Sequence, residues 1–269
     1  MSVSRRGFLH TAPAAVFAPM LWPAAGDRRF AQARAGAPGT TGATFPTQPP
    51  ELVREMVTVS HFNVMRVKEL LARHSTLARA AWDWGFGDWE DALGAASHVG
   101  NREIAELLLA NGARPTIFSA AMLGQLDVVK AFVAASPGIE GTPGPHGITL
   151  LKHATAGGAA AQAVVAYLTT LPAANKQPVS QPTSAEDFAE LPGEYAYGSG
   201  TDERIVIAVS KTSLTFLRAG GTARDLTHVG DRVFYPAGAP RVQIRFRSSA
   251  SGMTLTVHDP DVVVEARRS

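Results

Sequence analysis

The spacing of apolar residues changes once along the chain. Between residues 51 and 171 they recur at positions i, i+3 and i+4, as in Ile104, Leu107 and Leu108, which predicts short amphipathic helices. Between residues 190 and 268 they alternate with polar residues, which predicts short antiparallel β-strands. The pattern therefore predicts an α plus β protein with two domains.

Segments rich in proline, glycine and small polar residues mark the joints between these domains. The predicted organisation is a signal peptide at residues 1–33, a linker at 34–50, the helical domain at 51–171, a second linker at 172–189 and the β domain at 190–268. A chain of 269 residues is long enough for two domains, each with its own core.

An internal repeat organises the helical domain. Residues 59–71 align with residues 96–108 and with residues 120–132, and a looser fourth copy begins at Ala154. Each copy predicts a short alanine-rich helix, a turn and a longer helix. The turn positions hold residues that tolerate a left-handed backbone, namely Asn63, Gly100, Gly124 and Gly157.

These copies resemble the ankyrin repeat, a unit of about 33 residues. Residues 148–154 are similar to its Thr-Pro-Leu-His-x-Ala-Ala opening, and residues 107–113 to its closing segment. The resemblance covers residues 51–171 as four units and implies a short helical solenoid that binds a protein partner. The copies start about 37, 24 and 33 residues apart, which indicates an insertion after the first unit and a shortened connection after the second.

The insertion holds three of the four tryptophans of the chain. Aromatic side chains on a projecting loop are typical of binding hot spots, because they offer a large contact area at little entropic cost. The predicted binding residues are Trp82, Asp83, Trp84, Phe86, Asp88 and Trp89. Two interpretations stay open: the loop anchors a partner, or its aromatic side chains fold back over the alanine-rich helices and fill space beside a thin core.

Alternation in the β domain predicts about seven antiparallel strands in a small curved sheet or partly closed barrel. Val242, Ile244 and Phe246 are the clearest example. Residues 191–195, Leu-Pro-Gly-Glu-Tyr, resemble the Leu-x-Gly-x-Tyr opening of small lipocalin-like domains appended to bacterial secreted serine hydrolases. In those proteins the domain is an accessory part, so the resemblance implies no catalysis.

Side chains that could bind a metal are present, but their spacing argues against a metal site. The candidates are His61, His98, His146, His153, Asp83, Asp88 and Glu90. Neither His-x-x-x-His nor His-Glu-x-x-His occurs among them, and His61 and His98 occupy equivalent repeat positions, which favours a structural role. A nucleophile elbow and a phosphate-binding loop are also missing from the sequence. We therefore expect no metal, no cofactor and no enzymatic activity.

Charge and cysteine content exclude some classes of binding partner and of chemistry. The first 33 residues carry four arginines and one aspartate, so the formal charge of +2 for the whole chain leaves about −1 for residues 34–269. A nearly neutral protein lacks the basic surface that nucleic acid requires. The chain contains no cysteine, which excludes disulfides and thiolate chemistry and is compatible with an oxidising compartment.

The N-terminus carries a targeting motif. Ser4-Arg5-Arg6-Gly7-Phe8-Leu9-His10 precedes a short apolar stretch and then small residues. This segment resembles the twin-arginine export signal, Ser/Thr-Arg-Arg-x-Phe-Leu-Lys, through Arg5, Arg6, Phe8 and Leu9. The resemblance implies transport of the folded protein to the periplasm, with transient membrane contact through the signal alone. Residues 31–33 fit the cleavage rule better than residues 23–25.

Together these features predict an exported, monomeric, non-catalytic binding protein whose helical domain mediates protein–protein interaction. The alternative is a binder of a small, carbohydrate-like ligand, or a hydrolase, that uses residues 82–90 and the cleft between the domains.

Overall fold

The computed structural model describes residues 44–182, 188–210 and 213–269. The predicted signal residues Arg5, Arg6, Phe8 and Leu9 lie outside the described residues, so the export signal stays a prediction. Within the described ranges, no helix has the length and apolar character needed to cross a membrane.

The helical part consists of helix pairs. The bounds are α1 Pro50–Val59, α2 Val64–Arg73, α3 Ala92–His98, α4 Arg102–Ala110, α5 Ile117–Met122, α6 Leu126–Ala135, α7 Leu150–Ala156 and α8 Gln162–Thr169. Short 3₁₀ helices lie at Ser75–Arg79, Ile139–Gly141, Pro145–Gly147, Gly158–Ala161 and Pro172–Asn175. The first helices of the pairs contact one another in the order α1, α3, α5, α7. The predicted helices are confirmed, and their identification as ankyrin repeats stays a prediction.

Side-chain caps fix where the second helices begin. The side-chain oxygens of Asn63 and Asn101 accept hydrogen bonds from the backbone N–H groups of Arg66 and Ile104, at 3.0 and 3.2 Å. Such caps satisfy N–H groups that have no partner within the helix. Asn63, expected in a left-handed turn, is instead a helix N-cap with φ of −120°.

Two of the predicted turn glycines adopt the left-handed backbone. Gly100 and Gly124 have φ of 74° and 77°, whereas in the fourth pair the left-handed residue is Gly158 rather than Gly157. A Cβ atom on Gly100 would lie 2.1 Å from the carbonyl oxygen of Ala156. Glycine at this turn therefore serves both the backbone conformation and the close approach of α7.

The β part is a closed antiparallel barrel of eight strands in the described residues. The bounds are β3 Gly193–Ala196, β4 Arg204–Ser210, β5 Ser213–Arg218, β6 Arg224–Gly230, β7 Val233–Pro236, β8 Gln243–Ser249, β9 Gly252–His258 and β10 Val263–Arg268. Each strand pairs with the next, and β10 closes onto β3 where Arg267 pairs with Ala196. The predicted antiparallel β domain is thus confirmed, and the expected small curved sheet or partly closed barrel of about seven strands is corrected to a closed barrel of eight, since β10 reaches β3.

Side chains fill the barrel interior. Ile244 and Phe246 are buried, as the alternation predicted. Tyr195 is fully buried, and its hydroxyl donates a hydrogen bond to the carbonyl oxygen of Leu191 at 2.7 Å. An eight-stranded barrel has an interior just wide enough for its own side chains or for one small ligand.

A β-hairpin, β1 Ala81–Asp83 and β2 Trp89–Asp91, follows α2. Its loop reaches the barrel, where the ring of Phe86 lies 5.6 Å from the ring of Phe216. Phe86 has φ of 57°, an uncommon conformation for a bulky residue. Residues 46–269 form one compact unit, so the helical and β parts touch.

We expect Gly100→Ala to destabilise the protein more than Gly158→Ala. Both positions have positive φ, so both variants carry a backbone cost of about 1 to 2 kcal/mol. Only at Gly100 does the new methyl group meet the carbonyl of Ala156, because nothing lies within 4 Å of a Cβ on Gly158. Overpacking adds about 1 to 3 kcal/mol. Urea unfolding followed by circular dichroism measures the difference, and equal losses would contradict the close contact.

Candidate functional site

The hairpin brings two carboxylates, Asp88 and Glu90, to the contact between helices and barrel. Both residues are buried, at 5% and 1% exposure. A buried carboxylate must be compensated by hydrogen bonds and opposite charge, because removing it from water is costly. The partners of these two groups define the candidate site.

Asp88 joins three segments of the chain. It accepts a hydrogen bond from Nη2 of Arg224 on β6 at 2.6 Å, and bonds from the backbone N–H and Nδ1 of His146, both at 2.8 Å. Arg224 also donates to the carbonyl oxygen of Trp84 at 3.1 Å. Burial raises the pKa of Asp88, but the hydrogen bonds from His146 outweigh burial and lower that pKa overall. The ionised carboxylate therefore fixes the loop against the barrel.

Glu90 is surrounded by imidazole rings. Its Oε1 lies 2.9 Å from Nε2 of His98 and 3.5 Å from Nε2 of His61. Its Oε2 lies 3.3 Å from Nε2 of His146 and accepts a hydrogen bond from Nε1 of Trp84 at 2.9 Å. Burial raises the pKa of Glu90, but the hydrogen bonds from His146, His61 and His98 lower it overall.

The three histidines come from separate segments. His61 follows α1, His98 is the last residue of α3, and His146 lies in the 3₁₀ helix Pro145–Gly147. His146 has φ of 59°, a strained conformation that Asp88 holds by binding both its backbone and its ring. Burial lowers the pKa of His146, but hydrogen bonds to Asp88 and Glu90 prevail and raise it to about 9. The pKa of His61 is also raised, because Glu90 outweighs burial.

We call His61, Glu90, His98 and His146 the histidine–glutamate cluster. One ligand atom from each lies within 4.8 Å of the others, which is compact enough to surround a single metal ion. His153 lies behind the cluster, with its ring centroid 6.3 Å from that of His98. Burial lowers the pKa of His153 to about 4, so this ring is neutral at neutral pH. The geometry does not include His153 in the cluster.

A cleft adjoins the cluster. One cavity of about 350 Å³ is lined by His61, His146 and Trp84 together with residues 222–225 of the barrel. A second cavity, of about 400 Å³, lies at the barrel mouth. Trp84, Thr222 and Arg224 line both cavities, so the two lie side by side between the hairpin loop and the barrel, and we refer to them together as the cleft.

The predicted binding residues take different positions. Trp82 packs on the helical core, and Phe86 packs on the barrel core. Trp84 lines the cleft, whereas Trp89 is 63% exposed. Asp83 accepts a hydrogen bond from the backbone N–H of Gly85, and Asp88 is buried as described above. Most of the loop thus folds back on the protein, and Trp89 alone of the three loop tryptophans is largely exposed.

Sequence spacing missed the cluster. Local metal motifs place ligands within a few residues on one element, whereas here they lie up to 85 positions apart on four segments. The equivalent repeat positions of His61 and His98 were one available signal, because stacked repeats bring equivalent residues side by side. Nothing in the sequence singled out Arg224 of the barrel.

The comparisons with known proteins give no further guide. Protein-family models, curated proteins and solved structures were each compared with the chain, and none shows a significant match.

We expect Asp88→Ala to lower the free energy of unfolding by about 3 to 5 kcal/mol, because the variant leaves the guanidinium of Arg224 buried without its carboxylate. Asp83→Ala in the same loop removes only an exposed bond to a backbone N–H and costs about 1 kcal/mol or less. Chemical denaturation of both variants, with Arg224→Met and the double variant completing the cycle, measures the coupling. Equal losses of stability in Asp88→Ala and Asp83→Ala would show that the Asp88–Arg224 pair contributes little to the free energy of unfolding.

Proposed function

We propose that this protein binds a small molecule in the cleft between the hairpin loop and the barrel. The observation that carries the proposal is the cleft itself, in which Trp84, Thr222 and Arg224 line both cavities. Sites of this kind are concave, mostly apolar and held by rigid elements, with a few polar groups at defined positions. The closed barrel and the buried Asp88–Arg224 pair supply that rigidity here.

The lining of the cleft favours an amphipathic ligand. Phe86, Phe216, Val257, Val262 and Val264 give the barrel mouth an apolar surface. The carbohydrate hypothesis relied on Asp83 and Asp88, but both carboxylates bind groups of the protein. We therefore favour a molecule with an apolar body over a sugar.

Arg218 favours a negatively charged group on that molecule. Its Nε donates a hydrogen bond to the hydroxyl of Tyr197 at 2.7 Å, and both residues line the cleft. In the described part of the chain no carboxylate forms an ion pair with Arg218 within 4.0 Å, while the hydrogen bond to Tyr197 and the nearby charges of Asp202 and Glu203 raise its pKa. Its guanidinium retains donors for a carboxylate or sulfonate.

The proposal is one of binding rather than catalysis. Ser97 precedes His98 in sequence, but its hydroxyl donates to the carbonyl oxygen of Leu93 and so gives no nucleophile–base pair. The proposed periplasmic location rests on the N-terminal sequence alone, and the ankyrin-type solenoid rests on the repeats.

The dye 1-anilinonaphthalene-8-sulfonate tests the cleft, because it joins an apolar ring system to an anion. We expect its fluorescence to rise on binding and octanoate to displace it better than octanol. Val262→Trp, which fills the barrel mouth, should weaken binding by about tenfold, as expected for loss of the apolar contact. Val209→Trp, on an exposed position of β4, is the matched control. Equal affinities for the two variants would refute the cleft as the binding site.

Protein binding is the second candidate, and the exposure of Trp89 favours it. Phe62, in the turn before α2, and Met65, in the first turn of α2, are each 68% exposed as well. Large exposed apolar side chains are common binding anchors, although single ones also occur on ordinary surfaces. The partner is a protein of unknown identity.

Trp89→Ala should abolish a stoichiometric complex with such a partner and leave the midpoint of thermal unfolding within about 2 °C, since an exposed side chain contributes little to stability. Co-purification from a periplasmic extract followed by sedimentation of the isolated complex measures the loss. Retention of the complex by Trp89→Ala would exclude Trp89 as the anchor.

A further inference from the structure

The histidine–glutamate cluster borders the cleft, but its side chains are suited to binding a metal ion and not an organic ligand. We propose that His61, Glu90, His98 and His146 bind one divalent transition-metal ion, for which zinc is the best match. The inference does not depend on the small-molecule proposal, because the four ligands are side chains of the protein.

The distances within the cluster fit one ion. Zinc binds imidazole nitrogen at about 2.0–2.1 Å and carboxylate oxygen at about 2.0–2.2 Å, so adjacent ligands of a tetrahedral ion lie about 3.4 Å apart. Nε2 of His98 lies 3.0 Å from Nε2 of His61 and 2.9 Å from Oε1 of Glu90. Nε2 of His61 lies 3.5 Å from that oxygen, and Nε2 of His146 lies 3.3 Å from the other. All four ligand atoms lie within 4.8 Å of one another, so rotations of the side chains that bring the widest pair toward the tetrahedral spacing would place an ion among the four.

The outer nitrogens of two rings are held in the way that metal ligands require. Nδ1 of His61 lies 2.9 Å from the carbonyl oxygen of Thr58, and Nδ1 of His146 lies 2.8 Å from Oδ2 of Asp88. A carbonyl oxygen only accepts, so Nδ1 of His61 must carry the proton. In the neutral ring the lone pair is then on Nε2, which is directed at the cluster. The Asp88–His146 contact is the carboxylate–histidine arrangement that orients ligands and increases their basicity.

Glu90 is oriented as well. Its Oε2 accepts a hydrogen bond from Nε1 of Trp84, which fixes the plane of the carboxylate and directs Oε1 toward His61 and His98. The Glu90 side chain is fully buried, whereas those of His61 and His146 are 22% and 29% exposed. Both histidines line the cavity of about 350 Å³, which gives an ion a path from solvent.

The donor atoms select the class of metal. Three imidazoles and one carboxylate suit zinc and its first-row neighbours, whereas Ca²⁺ and Mg²⁺ prefer sites made entirely of oxygen. The alternative is that the cluster is only a network of hydrogen bonds between rings and carboxylate. Such a network would also account for the short distances among the ring nitrogens and the carboxylate oxygens. Direct measurement of bound metal therefore distinguishes the two.

The test uses the full chain, purified without a histidine tag and stripped with a chelator. Calorimetric titration and competition with a chromophoric chelator should show one Zn²⁺ per chain, and no binding of Mg²⁺. Glu90→Gln and His98→Gln should each weaken Zn²⁺ binding by about 100-fold or more. Loss of a residue that only supports a ligand typically lowers metal affinity by about tenfold to 100-fold, and loss of a ligand itself should cost more. His74→Gln, in the same helical part but outside the cluster, should bind Zn²⁺ as the unchanged protein does.

If Glu90→Gln or His98→Gln unfolds the protein, a second measurement with a less buried ligand tests the same site. Co²⁺ in place of Zn²⁺ should give the intense visible absorption of a four-coordinate site, and His61→Gln, at the more exposed edge of the cluster, should abolish it. Absence of stoichiometric Zn²⁺ binding would overturn the metal site, as would binding that Glu90→Gln and His61→Gln leave unchanged. Binding of the fluorescent dye by metal-free protein would still support the cleft, so the two proposals can fail separately.

Discussion

Two buried carboxylates, Asp88 and Glu90, constrain the way in which the helices, the hairpin and the barrel meet. Each needs several donors, because an unpaired buried charge costs several kcal/mol. Asp88 obtains them from Arg224 of the barrel and from His146, and Glu90 from Trp84 and three histidines. The helical part and the barrel are thereby joined by electrostatic contacts rather than by apolar packing alone.

The same constraint explains the strained conformations around the site. His146 adopts a left-handed backbone because Asp88 binds both its N–H group and its ring, and Phe86 does so where its ring enters the barrel mouth. Strain of this kind, about 1 to 3 kcal/mol per residue, persists where surrounding contacts compensate it and is concentrated at functional sites. The barrel thus has a direct effect on the cluster, since Arg224 holds the carboxylate that orients His146.

Local patterns predicted the elements, and long-range contacts decided the site. The i, i+3, i+4 spacing around Ile104 and the alternation around Ile244 specify helices and strands through neighbouring residues, and the repeat supplied the helix pairs. Closure of β10 onto β3 could not be inferred, because it depends on twist summed over the whole barrel. The cluster could not be predicted from the sequence for a similar reason, since its four residues meet only after the repeats stack and the hairpin folds between them. The role of the loop as a binding anchor stays a prediction, and its Asp88 and Glu90 make their contacts inside the protein.

X-ray absorption at the zinc edge, on the full untagged chain loaded with one equivalent of zinc, tests the central claim most directly. A bound ion with three imidazole nitrogens and one carboxylate oxygen, at about 2.0–2.2 Å, is the result predicted for His61, His98, His146 and Glu90. A spectrum of fully hydrated zinc, or one unchanged by Glu90→Gln, would contradict the account.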